Sequence, residues 1–356
     1  MGNTVMWKDD PSWPLNAAFL ARLANVNPAT RIVEWASKTT VKISGSNGLP
    51  IQVGDKLFWL DTDITLSTAT DLDTGSVAAG KDYYVYLCDD ESDTPVGLIS
   101  LNSTYPSGYD ADTSRKLGGF HTLCANVGTI SGHTLTGYLA SEILPQSVWD
   151  LTHRARNVNM DNSGLVYDPG TGLWVAIYLA ADDGSSGFKS EYGATIWDSG
   201  QGAATWYDCV NRAAKIGGRL LTYHEFMSLA AGSNEETNIT GSADPGTTGG
   251  HADTASRRMI SNIGCEDCCG VMLQWGLDMS YRLDPVPTGG DPAWAYSDLP
   301  NGKGSVYRQG TYGVVMPLLG GRWNVGSHCG SACVYLTNSP WLSHASFGAR
   351  VACDKL

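Results

Sequence analysis

Cysteine thiols are the side chains of this sequence with the widest choice of chemistry. Four of the nine cysteines form two closely spaced pairs, Cys265 with Cys268 and Cys329 with Cys333. Two cysteines separated by two or three residues commonly supply half of the ligands of a four-thiolate zinc site. The same residues are also compatible with one or two disulfides, or with buried thiols that pack as small hydrophobic groups. Because the total is odd, we expect at least one thiol to be free or metal-bound.

Other catalytic and metal-binding patterns are absent from the sequence. It holds no Gly-x-Ser-x-Gly, no His-Glu-x-x-His and no phosphate-binding P-loop. The acidic pairs Asp61/Asp63 and Asp71/Asp73 lack the glycine and the distal glutamate of an EF-hand loop. We therefore expect no enzymatic activity and no cofactor, with a structural zinc ion as the one exception that the cysteines leave open.

The elements that must position these side chains belong to a β-rich protein. The chain has 356 residues, a length that predicts two or three domains rather than one. Glycine (42 residues) and tryptophan (12 residues) are abundant and charged residues make up only 17%, a composition typical of turn-rich β structure with aromatic packing. The fold class predicted from composition is therefore β-rich and multi-domain.

The charge and hydropathy of the chain argue against two classes of partner. Asp and Glu number 36 against 23 Lys and Arg, a formal net charge of −13, so the phosphate backbone of a nucleic acid is repelled. The longest apolar stretches, such as residues 313–319, fall short of the roughly 20 residues that a membrane-spanning helix needs. We expect neither nucleic-acid binding nor membrane insertion.

Changes in the hydrophobic pattern divide the chain into three regions. Residues 1–40 have a mixed composition and form a separate N-terminal segment. From Thr39 onward apolar and polar residues alternate between dense turn signals, which predicts a small β-sandwich-like domain over residues 41–144. Residues 145–356 combine helical and strand patterns and predict an α+β domain.

Two helices are predicted in the third region. The apolar residues of the first fall at i, i+3, i+4 and i+7: Trp206, Cys209, Val210 and Ala213. Gly217 follows where such a helix ends. Thr222 and Glu225 form a capping-box sequence that begins the second helix. The Gly-, Ser- and Thr-rich residues 233–254 cannot bury much apolar surface, so we expect them to form an exposed loop.

The C-terminal segment carries the most specific pattern. Its frame residues are Gly320, Gly321, Trp323, Ser327, Gly330, Ser331, Pro340, Ser343, Ala345, Phe347, Gly348, Ala349, Arg350, Cys353 and Asp354. This frame resembles, without a gap, the variable region of the major tropism determinants of bacteriophages. These are receptor-binding proteins whose C-terminus is rewritten by a diversity-generating retroelement. The resemblance extends upstream through residues 60–66, 80–90, 115–121, 148–151, 217–226, 275–276 and 304–307.

The resemblance implies a fold and a function. For residues 145–356 it implies a C-type lectin fold of the formylglycine-generating-enzyme-like variety, with its variable region at residues 320–350. It implies a homotrimer at the tip of a virion tail fibre, or a related protein on a cell surface, that binds a host cell-surface protein or glycan. Residues 1–40 would then serve oligomerisation or virion attachment.

The resemblance also marks ten positions that the retroelement would diversify. They are Arg322, Asn324, Val325, His328, Tyr335, Thr337, Asn338, Leu342, His344 and Ser346. We call them the ten candidate positions. In the family these are asparagine codons altered only at adenines, so the third base stays a pyrimidine and the codon never becomes Trp, Lys, Met, Gln or Glu. None of the ten residues is one of these five types.

The spacing of the ten candidate positions predicts how their side chains point. Many lie two residues apart, so on a strand they would share one face, while Trp323, Leu336, Ala345 and Phe347 would point into the core. Substitutions on a solvent-facing surface usually change stability by about 0.5 kcal/mol or less, whereas core changes cost about 1 to 5 kcal/mol. The strongest binding anchors predicted are the large side chains Arg322, Tyr335, Leu342 and His344.

Three alternatives remain open from the sequence. The C-terminal segment can be an ordinary pair of packed strands. A formylglycine-generating-enzyme-like oxidase would need two reactive cysteines at Val325 and Gly330, and Cys329 and Cys333 are out of register with them. An unvarying carbohydrate-binding module is the third alternative, although the Glu-Pro-Asn motif of calcium-dependent lectins is absent. A near-repeat of the variable-region DNA beside a reverse transcriptase gene would separate the last alternative from the diversified protein.

Overall fold

A computed structural model describes residues 4–7, 31–46, 48–92, 94–158, 162–282, 295–308 and 313–356. These residues form two compact units. Unit 1 comprises the described parts of Met1–Leu123 with Ser141–Arg154 and Leu356, and unit 2 comprises Cys124–Ala140 and Ala155–Lys355. Of residues 1–40, for which we expect a role in oligomerisation or virion attachment, only 4–7 and 31–40 are among the described residues.

The described residues of unit 1 form short antiparallel strands. The ten strands are β1 (Thr4–Trp7), β2 (Val33–Ser37), β3 (Thr40–Ile43), β4 (Leu49–Val53), β5 (Lys56–Leu60), β6 (Ile64–Ser67), β7 (Asp82–Cys88), β8 (Val96–Ser100), β9 (Ser114–His121) and β10 (Trp149–Asp150). They form three sheets with the orders β1-β5-β4, β2-β3-β6 and β10-β9-β7-β8. The predicted alternation of apolar residues is present in β3 and β4, where every second side chain is buried.

The extent of unit 1 differs from the predicted range 41–144 at both ends. Strand β2 pairs with β3, with Val33 opposite Ile43, so the hairpin begins before residue 41. Residues 124–140 belong to unit 2, and the chain returns to unit 1 for residues 141–154. Contacts between distant segments set these boundaries, and the hydrophobic pattern within one segment does not report them.

Unit 2 combines two helices with three sheets. Its elements are β11 (Leu165–Asp168), β12 (Leu173–Ala176), β13 (Ala181–Asp182), β14 (Phe188–Lys189), α1 (Trp206–Lys215), β15 (Arg219–Leu220), α2 (Tyr223–Leu229), β16 (Leu273–Trp275), β17 (Ser280–Arg282), β18 (Ala295–Asp298), β19 (Ser305–Arg308), β20 (Gly313–Leu319), β21 (Val334–Asn338), β22 (Phe347–Gly348) and β23 (Val351–Asp354). The largest sheet has the order β18-β19-β21-β20-β16-β22, and β17 also pairs with β20. A second sheet has the order β11-β12-β23-β15, and β13 pairs with β14.

Both predicted helices are present. In α1 the buried side chains are Cys209 and Ala213, and the Thr205 hydroxyl caps the helix by accepting from the Asp208 N–H. In α2 the capping box is complete, because Thr222 and Glu225 each accept from the other's backbone N–H. Among the described residues, no helix is long and apolar enough to span a bilayer.

The expectation of an exposed loop at residues 233–254 is wrong for much of the segment. Asn234 and Asn238 are buried, and their side-chain amides donate to backbone carbonyls of Cys269 and Ile239 at 3.2 and 3.0 Å. The Thr237 hydroxyl donates to the buried Asp253 carboxylate at 2.7 Å. Polar side chains that bond the backbone order this segment in place of an apolar core.

A histidine–aspartate pair in unit 2 makes part of its stability depend on pH. His251 Nδ1 lies 2.9 Å from a carboxylate oxygen of the buried Asp267. Burial alone would lower the pKa of His251, but the hydrogen bond and the charge of Asp267 outweigh burial and raise the pKa above its ordinary value. A pKa raised in the folded state stabilises the fold fully below the unfolded-state pKa of about 6.5, and this contribution is lost as pH rises through the folded-state pKa.

We therefore expect the stability difference between the unaltered chain and His251→Gln to be larger at about pH 5.5 than at about pH 8.5. Urea unfolding at both pH values measures this difference. His224→Gln is the matched control, since it makes the same substitution at an exposed histidine on α2. A His251→Gln difference that stays constant or grows with pH would contradict the assignment.

Candidate ligand-binding face

The ten candidate positions lie on two loops and one strand of unit 2. The first loop connects β20 to β21, strand β21 carries three further positions, and the second loop connects β21 to β22. Strand β21 is internal in its sheet, antiparallel to β20 and parallel to β19. Both loops are therefore anchored at strands of this sheet, and their own conformation depends on contacts with residues outside the sheet.

The segment 233–254 holds the first loop in place. The Glu235 carboxylate accepts from the Ser331 N–H and hydroxyl at 2.8 and 2.6 Å, and it pairs with Lys303 Nζ at 2.7 Å. The Asn238 side chain accepts from the Gly326 N–H at 3.0 Å and donates to the Trp323 carbonyl. Neither Glu235 nor Asn238 was identified from the sequence as a functional residue. The run of Asn, Glu and Thr at residues 234–238 was the available signal, since such side chains often bond backbone groups.

The expected inward direction holds for part of the frame. Trp323 packs against the cluster of Leu179, Ile196, Ile239, Met259, Val271 and Met272, and Phe347 is buried. Leu336 is only half-buried and Ala345 is exposed, so these two predictions are wrong. Ala345 lies in residues 342–346, which are loop, where side chains need not alternate. Leu336 lies in strand β21, but there Tyr335 and Thr337, on the opposite face, are buried.

The outward direction expected for the ten candidate positions is likewise correct only in part. The exposed members are Asn324, Leu342 and His344, the half-buried members are Arg322, Val325, His328 and Asn338, and the buried members are Tyr335, Thr337 and Ser346. Tyr335, predicted to be an anchor, is only 5% exposed. Strand β21 lies between β19 and β20 in its sheet, and the rings of Tyr296 and Tyr307 pack against that of Tyr335.

An aromatic cluster surrounds Tyr335. The Tyr335 and Tyr296 hydroxyl groups lie 2.7 Å apart, and the Tyr307 ring centroid lies 5.0 Å from that of Tyr335. The imidazole of His328 stacks on Tyr296 with centroids 3.6 Å apart and planes 3° apart. Burial is the main cause of the raised pKa values of Tyr335 and Tyr296. These hydroxyl groups therefore remain neutral hydrogen-bonding groups at physiological pH.

The tyrosines on β18 and β19 join the candidate positions although neither is one of them. Tyr296 and Tyr307 face each other across this hairpin, with ring centroids 4.4 Å apart. Sequence reasoning placed Tyr307 in a resemblance segment but gave it no role, and it did not identify Tyr296. The pairing that brings both rings onto Tyr335 joins β19 to β21 in parallel, and residue spacing alone does not reveal such a pairing.

A second cluster links Arg322 to His344 through Ser346. The Ser346 hydroxyl lies 3.5 Å from an Arg322 terminal nitrogen and 2.9 Å from His344 Nδ1. Arg322 Nε is buried and has no hydrogen-bond partner among the described residues. The charge of Arg322 also acts on Tyr296, in the direction opposite to burial. Arg322 therefore lies between the two clusters with hydrogen-bonding capacity to spare.

The cysteines do not form the sites that their spacing allows. Among the described residues, no group of three or more His, Cys, Asp or Glu side chains is placed to hold a metal ion. The zinc site considered for Cys265, Cys268, Cys329 and Cys333 is therefore not formed. All nine cysteines are buried and free, so the disulfide alternative is not formed either. They pack as small hydrophobic groups.

The thiols nearest to the positions expected for an oxidase are poorly suited to redox chemistry. Burial raises the pKa of Cys333 to about 12 and also raises the pKa of Cys329. The Cys329 thiol donates to the Arg322 carbonyl at 3.4 Å, which is a structural contact within the first loop. A reactive cysteine needs a lowered pKa and access to solvent, and neither thiol has them.

Comparisons with family models, curated proteins and solved structures all identify relatives of the same kind. Residues 33–150 match the family model described as the Mtd second domain. The chain is 30% identical over 379 residues to the tail fiber receptor-binding protein of Bordetella phage BPP-1, with 99% of this chain and 91% of that protein covered. Among solved structures it resembles the Major Tropism Determinant M1 variant with a TM-score of 0.71 and 26% identity, covering 93% of this chain and 85% of the other. The U1 variant gives the same TM-score and identity, with 96% and 88% covered.

Proposed function

The chain belongs to the major tropism determinant family, and from this premise we propose that it is a phage receptor-binding protein that determines tropism by binding a host-surface molecule. The binding region is the candidate face, which we define as the exposed and half-buried members of the ten candidate positions. The family relatives are receptor-binding tail-fibre proteins, and they do not favour the oxidase or the unvarying module.

One observation carries this proposal. Asn324, Leu342 and His344 are exposed on loops, whereas the residues beneath those loops, such as Phe347 and Arg350, are buried. Substitution at exposed loop positions leaves the core unchanged, so the fold can keep its stability while the face changes. This arrangement is what a receptor-binding surface rewritten by a retroelement requires.

The finer features of the proposal follow the family. Unit 2 adopts a C-type lectin fold of the formylglycine-generating-enzyme-like variety, the chain forms a homotrimer, and it sits at the tip of the virion tail fibre. Several copies on one virion would raise the apparent affinity of a modest single-site interaction through multivalency. The two described helices of unit 2 and its large mixed sheet support the fold assignment.

Replacing Leu342 and His344 together with alanine tests the proposal. We expect binding to host cells to fall at least about tenfold, because interface anchors contribute more than about 1 kcal/mol each when truncated. The melting temperature should fall by no more than about 4 °C, since both side chains are exposed and the loss of His344 removes its hydrogen bonds to Ser346. Binding of labelled chain to cells and calorimetry measure the two quantities.

Two variants complete this test. Leu101→Ala removes an exposed leucine from unit 1 and should leave binding unchanged. Tyr335→Ala removes a buried ring and should lower the free energy of unfolding by about 3 kcal/mol or more. Normal host binding by the double variant, or a large loss of its melting temperature, would argue against the candidate face.

A further inference from the structure

Beside the candidate face, unit 2 exposes two aromatic rings that are stacked on each other. Trp341 is 64% exposed and Tyr207 is 45% exposed, with ring centroids 5.7 Å apart and planes 18° apart. Leu342, one of the exposed candidate positions, follows Trp341 directly and is 41% exposed. We call Tyr207 and Trp341 the aromatic pair.

Contacts on both sides of the aromatic pair hold the backbone before Trp341 and the ring of Tyr207. The Trp206 N–H donates to the Pro340 carbonyl at 3.0 Å and thereby ties the second loop to the start of α1. The Trp206 indole packs edge-on against Tyr207 and donates its N–H to the Gly276 carbonyl at 2.8 Å. Rings that are already fixed lose little conformational entropy when a partner binds. The pair is therefore pre-organised for contact.

Polar groups next to the aromatic pair are already engaged within the chain. The Ser343 hydroxyl accepts from the Ala204 N–H at 3.1 Å, and Thr205 and Asp208 bond each other in the helix cap. A sugar ring brings hydroxyl groups that need hydrogen-bond partners when they are desolvated. A flat pair of rings beside an exposed leucine instead matches the apolar, aromatic-rich centre of a protein–protein interface. The surroundings favour a protein partner.

We propose that the aromatic pair is a fixed hydrophobic anchor that packs against apolar side chains of a host-surface protein, next to the replaceable residues Leu342 and His344. This inference rests on the proposed function. An asparagine codon altered only at adenines cannot encode tryptophan, so Trp341 would stay constant while its neighbours change. The anchor supplies affinity common to all variants of the face, and the candidate positions select the receptor.

The test uses full-length chain carrying Trp341→Ala, labelled and added to bacterial cells that bind the unaltered chain. We expect binding to weaken at least about tenfold with an unchanged melting temperature, as for an exposed tryptophan at the centre of an interface. Tyr207→Ala should weaken binding in the same direction. Trp35→Ala is the matched control, because it removes an exposed tryptophan from unit 1 and should bind normally.

Treatments of the cells and a measurement of oligomeric state distinguish the possible explanations. Proteinase treatment of the cells should abolish binding, whereas periodate oxidation of their glycans should not. Binding that survives proteinase but not periodate would overturn the protein partner. Unchanged binding by Trp341→Ala, with binding lost in the Leu342 and His344 double variant, would overturn the anchor and leave the proposed function standing. A changed oligomeric state of Trp341→Ala on light scattering would show that the pair contacts another copy of the chain, and this too would overturn the proposal.

Discussion

Replacing Arg350 with lysine is expected to lower the free energy of unfolding of unit 2 by about 3 kcal/mol or more, because several buried acceptors lose their donors together. The guanidinium is buried and donates to the Ala176 and Ile177 carbonyls at 2.8 and 2.7 Å, to the Glu266 carbonyl at 2.5 Å and to the Gln274 side chain at 3.0 Å. A lysine ammonium carries the same charge but cannot reach four acceptors in the geometry of the planar fork.

Chemical denaturation of the full chain, followed by tryptophan fluorescence, measures this loss. For a unit of this size, about 3 kcal/mol corresponds to a melting temperature lower by about 6 to 12 °C. Lys189→Ala is the control, since it removes a cation from an exposed ion pair with Glu191 and should cost about 1 kcal/mol or less. An Arg350→Lys variant as stable as the control would show that the fork is not needed.

The expected cost at Arg350 explains why this frame can support a changing surface. Arg350 joins β12, the segment before β16 and the start of β23 through backbone carbonyls, which are present whatever the side chains of the candidate face are. Contacts to backbone do not depend on which side chains the candidate face carries. The frame can therefore keep its geometry when Asn324, Leu342 and His344 are substituted, as the proposed function requires.

Local structure in unit 2 could be predicted where local sequence determines it. The apolar spacing from Trp206 to Ala213 and the capping box at Thr222 each specify a helix within a few residues, and both helices are present. The exposure of Leu342 and His344 was also predicted correctly. Helix caps and exposed loop positions depend on neighbours in sequence, so a single sequence contains their signal.

The burial of Tyr335 could not be predicted in the same way. It depends on the β18–β19 hairpin, whose Tyr296 and Tyr307 lie about 30 to 40 residues earlier in the chain and reach Tyr335 through a parallel pairing. Asn238 and Glu235 similarly position a loop whose bonded residues lie 88 and 96 residues later in the chain. Long-range pairing decides both cases, and periodicity within one segment does not report it.

Replacing Asp150 with asparagine is expected to destabilise unit 1 by about 3 to 5 kcal/mol, the cost of breaking a buried charged network. One carboxylate oxygen of this fully buried residue accepts from Arg31 Nε and the Ile32 and Val33 N–H groups at 2.9, 2.9 and 3.1 Å. The other oxygen accepts from the N–H and hydroxyl of Thr152 and from the His153 N–H at 2.7, 2.7 and 2.9 Å. Whichever way the asparagine amide is turned, its NH₂ faces three donors.

The asparagine variant is nearly isosteric, so a loss of stability reports hydrogen bonding and charge rather than a cavity. Arg31→Ala removes the cation and its hydrogen bonds to the Val33 and Val148 carbonyls, but it leaves five donors to the carboxylate, so we expect its cost to be smaller than that of Asp150→Asn. Urea unfolding of both variants in the full chain gives the comparison. Equal costs would mean that the ion pair alone matters, and a neutral Asp150→Asn would mean that the carboxylate does not organise the junction of β2 and β10. The larger cost expected for Asp150 follows from its six donors, which tie the start of the β2 hairpin to the end of unit 1 and so fix a boundary that composition does not reveal.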